Sequence, residues 1–130
     1  MKNIIVISAI LAMILMATLS SCTGDRDGAV KAIQAYLQAL VGKDTERVAN
    51  LSCANWEADA RTEIESFTAV SVALQDLDCK ETGVDGDTAL VSCSGKITAN
   101  YGNEVLEIDL AERTFQAVYE DGDWRMCGYR

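Results

Sequence analysis

Hydrophobic positions recur with helical spacing in the first half of the chain. After Asp27, a candidate N-cap, apolar side chains follow one another at intervals of three or four residues up to Gly42, a candidate helix end. A second, shorter helix is predicted after Asp44, and the same spacing predicts a third over residues 56–67. The pattern therefore predicts consecutive helices with one apolar face each.

From Ala69 onward, apolar and polar residues alternate, as is typical of strands that bury one face. Asp-Gly pairs at residues 85–86 and 121–122 indicate tight hairpin turns. The alternation shifts phase near Glu112, which we interpret as a bulge within one long strand. The second half thus predicts a four-stranded antiparallel meander, and the whole an α+β domain whose helices cover one face of a curved sheet.

The beginning of the chain shows neither pattern. An apolar run over residues 4–19 follows one positive charge at Lys2 and ends in Leu-Ser-Ser-Cys at residues 19–22. This segment resembles the signal of bacterial lipoproteins, the lipobox. The resemblance implies cleavage before Cys22, a diacylglyceryl thioether on its sulfur, and acylation of the new amino group in many bacteria.

We therefore expect residues 1–21 to be a signal peptide, residues 22–27 the lipidated cysteine and a short tether, and residues 28–130 the folded domain. The alternatives are an uncleaved transmembrane helix and a plain signal peptide. The apolar run is shorter than the roughly 20 residues that cross a bilayer, and no basic cluster follows it. The expected location is the cell membrane, lipid-anchored and facing the extracytoplasmic side, because two or three acyl chains hold a protein stably.

Composition narrows the function. The chain carries 20 acidic against 11 basic residues, a net charge of −9, and such a charge repels nucleic acid. We expect no nucleic-acid partner. The chain contains no histidine, which is the commonest general acid or base and the commonest metal ligand. No metal and no other cofactor is therefore expected.

Four cysteines follow Cys22, and an even number in an exported chain indicates disulfides. A zinc site would need closely spaced pairs, which the sequence lacks. The first hairpin turn brings Cys79 and Cys93 onto adjacent strands, where a one-residue bulge would make them direct partners. That pairing leaves Cys53 to join Cys127. Four cysteines allow three connectivities, and this one is our prediction.

The order of elements, together with Asp-Gly-Asp-Trp-Arg-Met at residues 121–126, resembles the NTF2-like superfamily over residues 28–129. The resemblance implies a cone, in which N-terminal helices pack in the concave face of a strongly bent four-stranded antiparallel sheet and a pocket is often enclosed. The main structural alternative is a cystatin-like sheet on a single helix, which the third helix argues against. The superfamily contains isomerases, dehydratases, subunit adaptors and inert binding domains, so the fold does not fix the activity.

Small residues dominate several inward positions of the predicted sheet, which leaves volume unfilled against the first helix. We therefore predict an apolar pocket there, with Tyr36, Leu40, Val91 and Phe115 in its wall. No catalytic group is mapped onto this sequence by the resemblance. The expected function is binding of a small apolar ligand or an envelope protein partner without turnover.

Two other functions stay open. An isomerase-like enzyme would use a pocket carboxylate as its base, and Asp109 and Glu107 lie on the polar phase of a strand near the predicted bulge. A solvated sheet face is the commoner fate of such residues. Arg113 and Arg125 lie on neighbouring predicted strands, where they would grip a ligand carboxylate or pair with surface acids. The last possibility is a structural accessory of an envelope complex.

Overall fold

The computed structural model describes residues 26–130, which form three α-helices followed by a five-stranded antiparallel sheet. The helices are α1 (Arg26–Val41), α2 (Thr45–Asn50) and α3 (Glu57–Glu65). The strands are β1 (Ser71–Asp85), β2 (Thr88–Asn100), β3 (Val105–Asp109), β4 (Thr114–Glu120) and β5 (Asp123–Tyr129), with a 3₁₀ helix at Leu110–Glu112. The lipidation predicted at Cys22 lies outside these residues.

Local hydrogen bonds set the helix boundaries. Helix α1 is described from Arg26 onward and has Asp27 in its first turn, where a negative charge is favourable next to the helix dipole. Lys43 follows the helix in the left-handed conformation, with φ 57°. This turn allows the Asp44 side chain to accept a hydrogen bond of 3.0 Å from the backbone N–H of Arg47 and thereby cap α2. In the part of the chain that the structure describes, no helix is long and apolar enough to cross a membrane.

Strand β2 organises the sheet. The neighbours run in the order β1-β2-β4-β5, and β3 also pairs with β2. Strand β2 pairs with β4 through residues 88–92 and with β3 through residues 96–100. The prediction of four strands is wrong by one, because the phase change near Glu112 is a 3₁₀ turn and not a bulge. The Asp109 side chain accepts a 2.9 Å hydrogen bond from the Ala111 N–H, and this local bond favours the turn over a continued strand.

A break in register bends the long β1–β2 pair. The register shifts between Gln75 and Asp78, where Asp76 has φ 53°. Gly95 on the partner strand has φ 100°, and a Cβ there would lie 2.4 Å from the carbonyl oxygen of Gln75. Glycine is therefore required at this position, and the bulge that it permits accentuates the twist of the sheet.

The core lies between α1 and the curved face of the sheet. Buried and partly exposed side chains alternate along β2, as predicted. Several of the buried ones that face α1 are small. This arrangement confirms the predicted fold class, helices packed on a curved antiparallel sheet. The core residues with at most 1% exposure include Ala29, Ile33, Tyr36, Leu40, Val48, Val91, Ala99, Leu110, Ala117 and Met126.

Two disulfide bonds connect the elements. Cys79 and Cys93 face each other directly on β1 and β2, with Cα atoms 4.1 Å apart. A register shift in β1 on the hairpin side of this pair supplies the one-residue offset that the sequence required. Cys53 precedes α3 and bonds to Cys127 on β5, with Cα atoms 5.2 Å apart. These are the two pairs expected from the sequence.

Candidate functional site

The residues expected to form a pocket wall are core residues. Tyr36, Leu40, Val91 and Phe115 are each at most 2% exposed and belong to one buried cluster of apolar side chains. None of them lines the surface clefts described below. An apolar pocket walled by these four side chains stays a prediction.

A polar group is nevertheless built into this core. The Tyr36 hydroxyl donates a 2.6 Å hydrogen bond to Oε2 of Glu63, and Nε1 of Trp56 donates one of 3.2 Å to the Tyr36 oxygen. Nη1 of Arg113 lies 3.8 Å from Oε1 of Glu63. The same guanidinium stands over the Tyr129 ring, 4.4 Å from its centroid. We call these five residues the interior cluster.

Distant parts of the chain supply the interior cluster. Its members lie on α1, at the start of α3, within α3, directly before β4 and at the end of β5. Trp56 packs on Gly128, where a Cβ would stand 3.3 Å from the indole ring, and it meets Tyr129 edge to face at 5.3 Å between ring centroids. The Cys53–Cys127 disulfide joins the two segments that carry these aromatic residues.

Burial changes the proton affinity of the interior cluster. The Glu63 side chain is 17% exposed, and desolvation raises its pKa above the ordinary value, against the opposing effects of the Tyr36 hydrogen bond and the Arg113 charge. Desolvation and the neighbouring Glu63 charge raise the pKa of Tyr36 far above its ordinary value. Burial also raises the pKa of Tyr129. Glu63 is therefore a carboxyl with an elevated pKa whose two oxygens both face protein partners.

Sequence reasoning missed Glu63, although the helix pattern contains the signal. Ala60, Ile64 and Phe67 form the buried side of α3 and the turn after it. Glu63 lies three residues after Ala60 and four before Phe67, which is the spacing of one helix face. An acidic residue on the apolar face of a helix is uncommon, and its position would have marked it for attention.

The carboxylates considered from the sequence lie elsewhere. Asp109 is exposed and caps the 3₁₀ turn. Glu107 is exposed and pairs with Lys96 at 2.6 Å on the neighbouring strand. Both residues therefore have the solvated positions that are common for acidic residues on a sheet.

The two arginines considered from the sequence are not brought together. Arg113 belongs to the interior cluster, whereas Arg125 donates hydrogen bonds to the backbone oxygens of Asn50, at 2.5 Å, and Glu120, at 3.2 Å. Arg125 thus connects the end of α2 to the β4–β5 hairpin. A joint grip on one ligand carboxylate does not fit these contacts.

An open cleft of about 520 Å³ lies where α1 and the end of α2 meet the β4–β5 hairpin. We call it the hairpin cleft and define it by Gly28, Lys31, Asn50, Tyr119 and Trp124. Three further clefts lie between the residues after α3 and the β2–β3 turn, beside α1 at Cys79, and between α2 and α3.

Two aromatic residues form one side of the hairpin cleft. Tyr119 and Trp124 are direct cross-strand partners, with ring centroids 5.6 Å apart and an interplanar angle of 72°. They lie two residues along each strand from the buried pair Ala117 and Met126, so their side chains are on the same face of the sheet as the core. Tyr119 is 56% exposed.

Trp124 has an unusual environment. Its indole edge lies on Gly28 of α1, where a Cβ would come within 2.5 Å of Cδ1. Its Nε1 is buried and has no hydrogen-bond partner. Because buried donors are nearly always paired in native proteins, this N–H requires an explanation.

No metal site is formed by the described residues. Within residues 26–130, no group of three or more cysteine, aspartate and glutamate side chains is placed to hold a metal ion.

Solved structures resemble this domain in fold. A protein from Novosphingobium aromaticivorans provisionally named an aromatic ring hydroxylase superposes with a TM-score of 0.62 at 16% identity, covering 81% of this chain and 85% of its own. A provisionally named dehydratase of the NTF2-like family from Streptomyces avermitilis gives 0.55 at 17% identity, covering 81% and 92%. An NTF2-like protein with a cystatin-like fold, also from N. aromaticivorans, gives 0.53 at 16% identity, covering 97% and 86%.

Sequence comparison adds nothing to this result, since no family model and no curated protein matches the chain. At the identities found, the likeness is one of fold alone. The domain therefore has the NTF2-like fold, and its activity has to be argued from its own residues.

Proposed function

We propose that this protein is a membrane-anchored extracytoplasmic lipoprotein whose NTF2-like domain binds a small ligand or an envelope protein partner without turnover. The observation that supports binding without turnover is that both oxygens of the Glu63 carboxyl already face protein side chains. Oε2 of Glu63 accepts the Tyr36 hydrogen bond, and Oε1 faces Arg113. A general base needs an oxygen within hydrogen-bonding reach of its substrate, and in this arrangement Tyr36 and Arg113 stand where the substrate would have to approach Glu63.

The hairpin cleft supports the binding function, because it differs from the interior cluster. Its aromatic side chains, its open volume and its unpaired Trp124 donor are features of a surface that is completed by another molecule. The interior cluster, by comparison, holds parts of the fold together and contributes to its stability.

Membrane anchoring rests on the lipobox at residues 19–22. Four residues separate the start of Cys22 from Arg26, and they would reach at most about 14 Å when fully extended. The domain would thus be held close to the membrane, while its negative charge repels anionic headgroups.

The anchor is tested by replacing its cysteine. We expect Cys22→Ser to abolish fatty-acid labelling and to release the protein from the membrane fraction or block its processing. Glu107→Gln, a change at an exposed side chain of the folded domain, is the control and should leave labelling unchanged. Absence of label from the unaltered protein would refute the proposed anchor.

The binding function is tested by native mass spectrometry of the full protein, extracted from membranes in detergent. We expect a bound small molecule or protein to appear as a defined mass increment. Incubation with a recovered ligand should leave that ligand chemically unchanged. If the protein instead converts it, the proposal of binding without turnover fails.

An isomerase-like enzyme is the second candidate, and the raised pKa values of Glu63 and Tyr36 favour it specifically. In that function Glu63 would accept a proton and Tyr36 would donate to the developing oxyanion, once Arg113 moved aside and the Tyr36 hydroxyl turned from Glu63 to the substrate. The test is isomerisation of a β,γ-unsaturated ketosteroid. Activity that Glu63→Gln abolishes and the exposed control Glu107→Gln retains would establish the enzyme.

A further inference from the structure

We propose that the hairpin cleft binds a neutral carbohydrate, with a sugar ring stacked on Tyr119 and a sugar oxygen accepting from Nε1 of Trp124. This inference rests on the proposed binding function and names the class of its ligand. An exposed aromatic side chain, an unpaired donor and the charges at the rim of the cleft support it.

The exposed aromatic ring is the first observation. Tyr119 lies on the same face of the β4–β5 hairpin as the core residues, but it is 56% exposed and lines the cleft. An aromatic ring in a cleft offers a flat apolar surface with a polar edge. The C–H groups on one side of a pyranose ring fit such a surface, while its hydroxyl groups remain free to form hydrogen bonds.

The unpaired N–H of Trp124 is the second, independent observation. Leaving this buried donor without an acceptor is unfavourable for the free domain. The indole packs against Gly28, where a Cβ would lie 3.0 Å from Nε1, and Trp124 also lines the cleft. A small turn of the indole away from Gly28 would bring Nε1 to an oxygen in the cleft, so that binding recovers the hydrogen bond that folding left unmade.

The charges at the rim select a neutral ligand. Lys31 and Asp123 both line the cleft, and with Asn50 they provide an ammonium, a carboxylate and an amide. Such a mixture of donors and acceptors suits hydroxyl groups, each of which donates and accepts. An anionic ligand would meet Asp123 and a chain with a net charge of −9. A purely apolar ligand would leave these polar groups unpaired.

The proposed location supplies ligands of this class, because the bacterial envelope is rich in polysaccharides. A lipoprotein whose domain carries a sugar-binding cleft would contact both the membrane and the glycan above it.

The test uses the full mature lipoprotein in lauryldimethylamine oxide, a detergent without a sugar headgroup. The probes are chitotetraose, cellotetraose and maltotetraose, followed by tryptophan fluorescence and by saturation-transfer NMR of the sugar protons. We expect at least one of these sugars to bind with a Kd on the order of millimolar or tighter. Trp124 emission should change on binding, because the indole moves.

Variants assign the binding to the hairpin cleft. Tyr119→Ala should weaken binding at least about tenfold, and Trp124→Phe, which keeps a ring but deletes the N–H, about three- to tenfold. Tyr101→Ala is the matched control, since Tyr101 is 50% exposed but lies outside this cleft. It should bind like the parent protein. Circular dichroism and thermal unfolding establish that each variant is folded, and Lys31→Ala provides a second, surface substitution in the cleft.

Several results would overturn the proposal. Absence of binding by all three sugars would refute it, as would equal weakening by Tyr119→Ala and Tyr101→Ala. Binding of an oligogalacturonate in preference to the neutral sugars would refute the neutrality of the ligand. Recovery of a different ligand by native mass spectrometry would refute the carbohydrate ligand but not the proposed binding function. Conversion of a bound ligand would refute binding without turnover, even if the three sugars still bound in the hairpin cleft.

Discussion

The two tryptophans of this chain pack on glycines but differ in their hydrogen bonding. Trp56 lies on Gly128 and donates to the buried Tyr36 oxygen. Trp124 lies on Gly28 and donates to nothing. The first belongs to the interior cluster, in which every side chain contacts another member. The second borders an open cleft.

In the interior cluster the polar groups have partners within the domain, whereas in the hairpin cleft a buried donor has none. In the interior cluster, burial of Glu63 is offset by Tyr36 and Arg113, so the charge and the hydroxyl stabilise each other. In the hairpin cleft, a donor and an exposed ring lack such partners. We therefore infer that the interior cluster has a structural role and that the hairpin cleft has a binding role.

The largest effect is expected from removing the disulfide beside the interior cluster. Replacing Cys53 and Cys127 with alanine opens a loop of sequence separation 74 and should lower the free energy of unfolding by roughly 4 kcal/mol. The same change at Cys79 and Cys93, of separation 14, should cost about 3 kcal/mol. Urea unfolding without reductant measures both values.

Near-ultraviolet circular dichroism distinguishes the two disulfide variants further. Only loss of Cys53–Cys127 should alter the aromatic signal of Trp56 and Tyr129, which lie three and two residues from the bonded cysteines. An equal change in both variants would contradict the view that this disulfide supports the interior cluster.

A smaller effect is expected from the tryptophans themselves. Trp56→Phe removes a paired donor and its packing on Gly128, so it should lower the free energy of unfolding by about 1–3 kcal/mol. Trp124→Phe removes an unpaired donor and should cost at least about 1 kcal/mol less. Both variants are measured by urea unfolding. A larger loss of stability in Trp124→Phe than in Trp56→Phe would contradict the assignment of Trp56 to a structural cluster and of Trp124 to an incomplete site.

The pH dependence of stability provides a third test. The pKa of Glu63 is raised in the folded domain, so the folded state binds this proton more tightly than the unfolded state does. Stability should therefore fall as pH rises from about 4.5, the ordinary value, through the folded pKa, and the loss should be complete above it. Glu63→Gln cannot titrate, so its stability relative to the parent should rise over this window.

Tyr36→Phe gives the sign control for that experiment. The Tyr36 hydrogen bond lowers the pKa of Glu63 in the folded domain, so its removal should move the upper end of the window to higher pH and leave the lower end unchanged. Unfolding is measured between pH 4 and pH 9 for the parent and both variants. A window that moves to lower pH in Tyr36→Phe, or a constant difference between Glu63→Gln and the parent, would show that Glu63 is not titrating as described.

The smallest change in stability is expected at Gly28. Gly28→Ala gains about 1 kcal/mol of helix propensity, but its Cβ would approach Cδ1 of Trp124 to 2.5 Å and displace the indole. We expect a net effect within about 1 kcal/mol, together with a shift in tryptophan emission. Gly83→Ala is the matched control, because its Cβ meets only Leu90, at 4.0 Å, and should leave the emission unchanged.

Elements that depend on neighbours in sequence were predictable. The helical spacing before residue 42 and the alternation after residue 69 correspond to α1 and to β1 and β2. The register of the first hairpin placed Cys79 opposite Cys93 because a turn and a bulge set it locally. The break between β3 and β4 was misread, since a phase change in alternation does not distinguish a bulge from a 3₁₀ turn.

The candidate sites were less accessible to such reasoning. Asp109 stood out by its place on a strand, yet it caps a turn, while Glu63 was passed over within a helix. Tyr36 and Phe115 were identified as inward-facing, but their neighbours could not be named from spacing. Which side chains meet depends on how α1, α3 and the end of β5 pack against one another.

The amino-acid sequence by itself determined the order of the elements, the negative charge, the lack of histidine and the facing of Cys79 and Cys93, because each follows from composition or from residues close along the chain. Only the tertiary structure decided that Glu63 is buried beside Tyr36 and Arg113 and that the N–H of Trp124 lacks an acceptor. The physical reason is that desolvation and pairing depend on atoms contributed by segments far apart in sequence, and no local pattern records which of them come together.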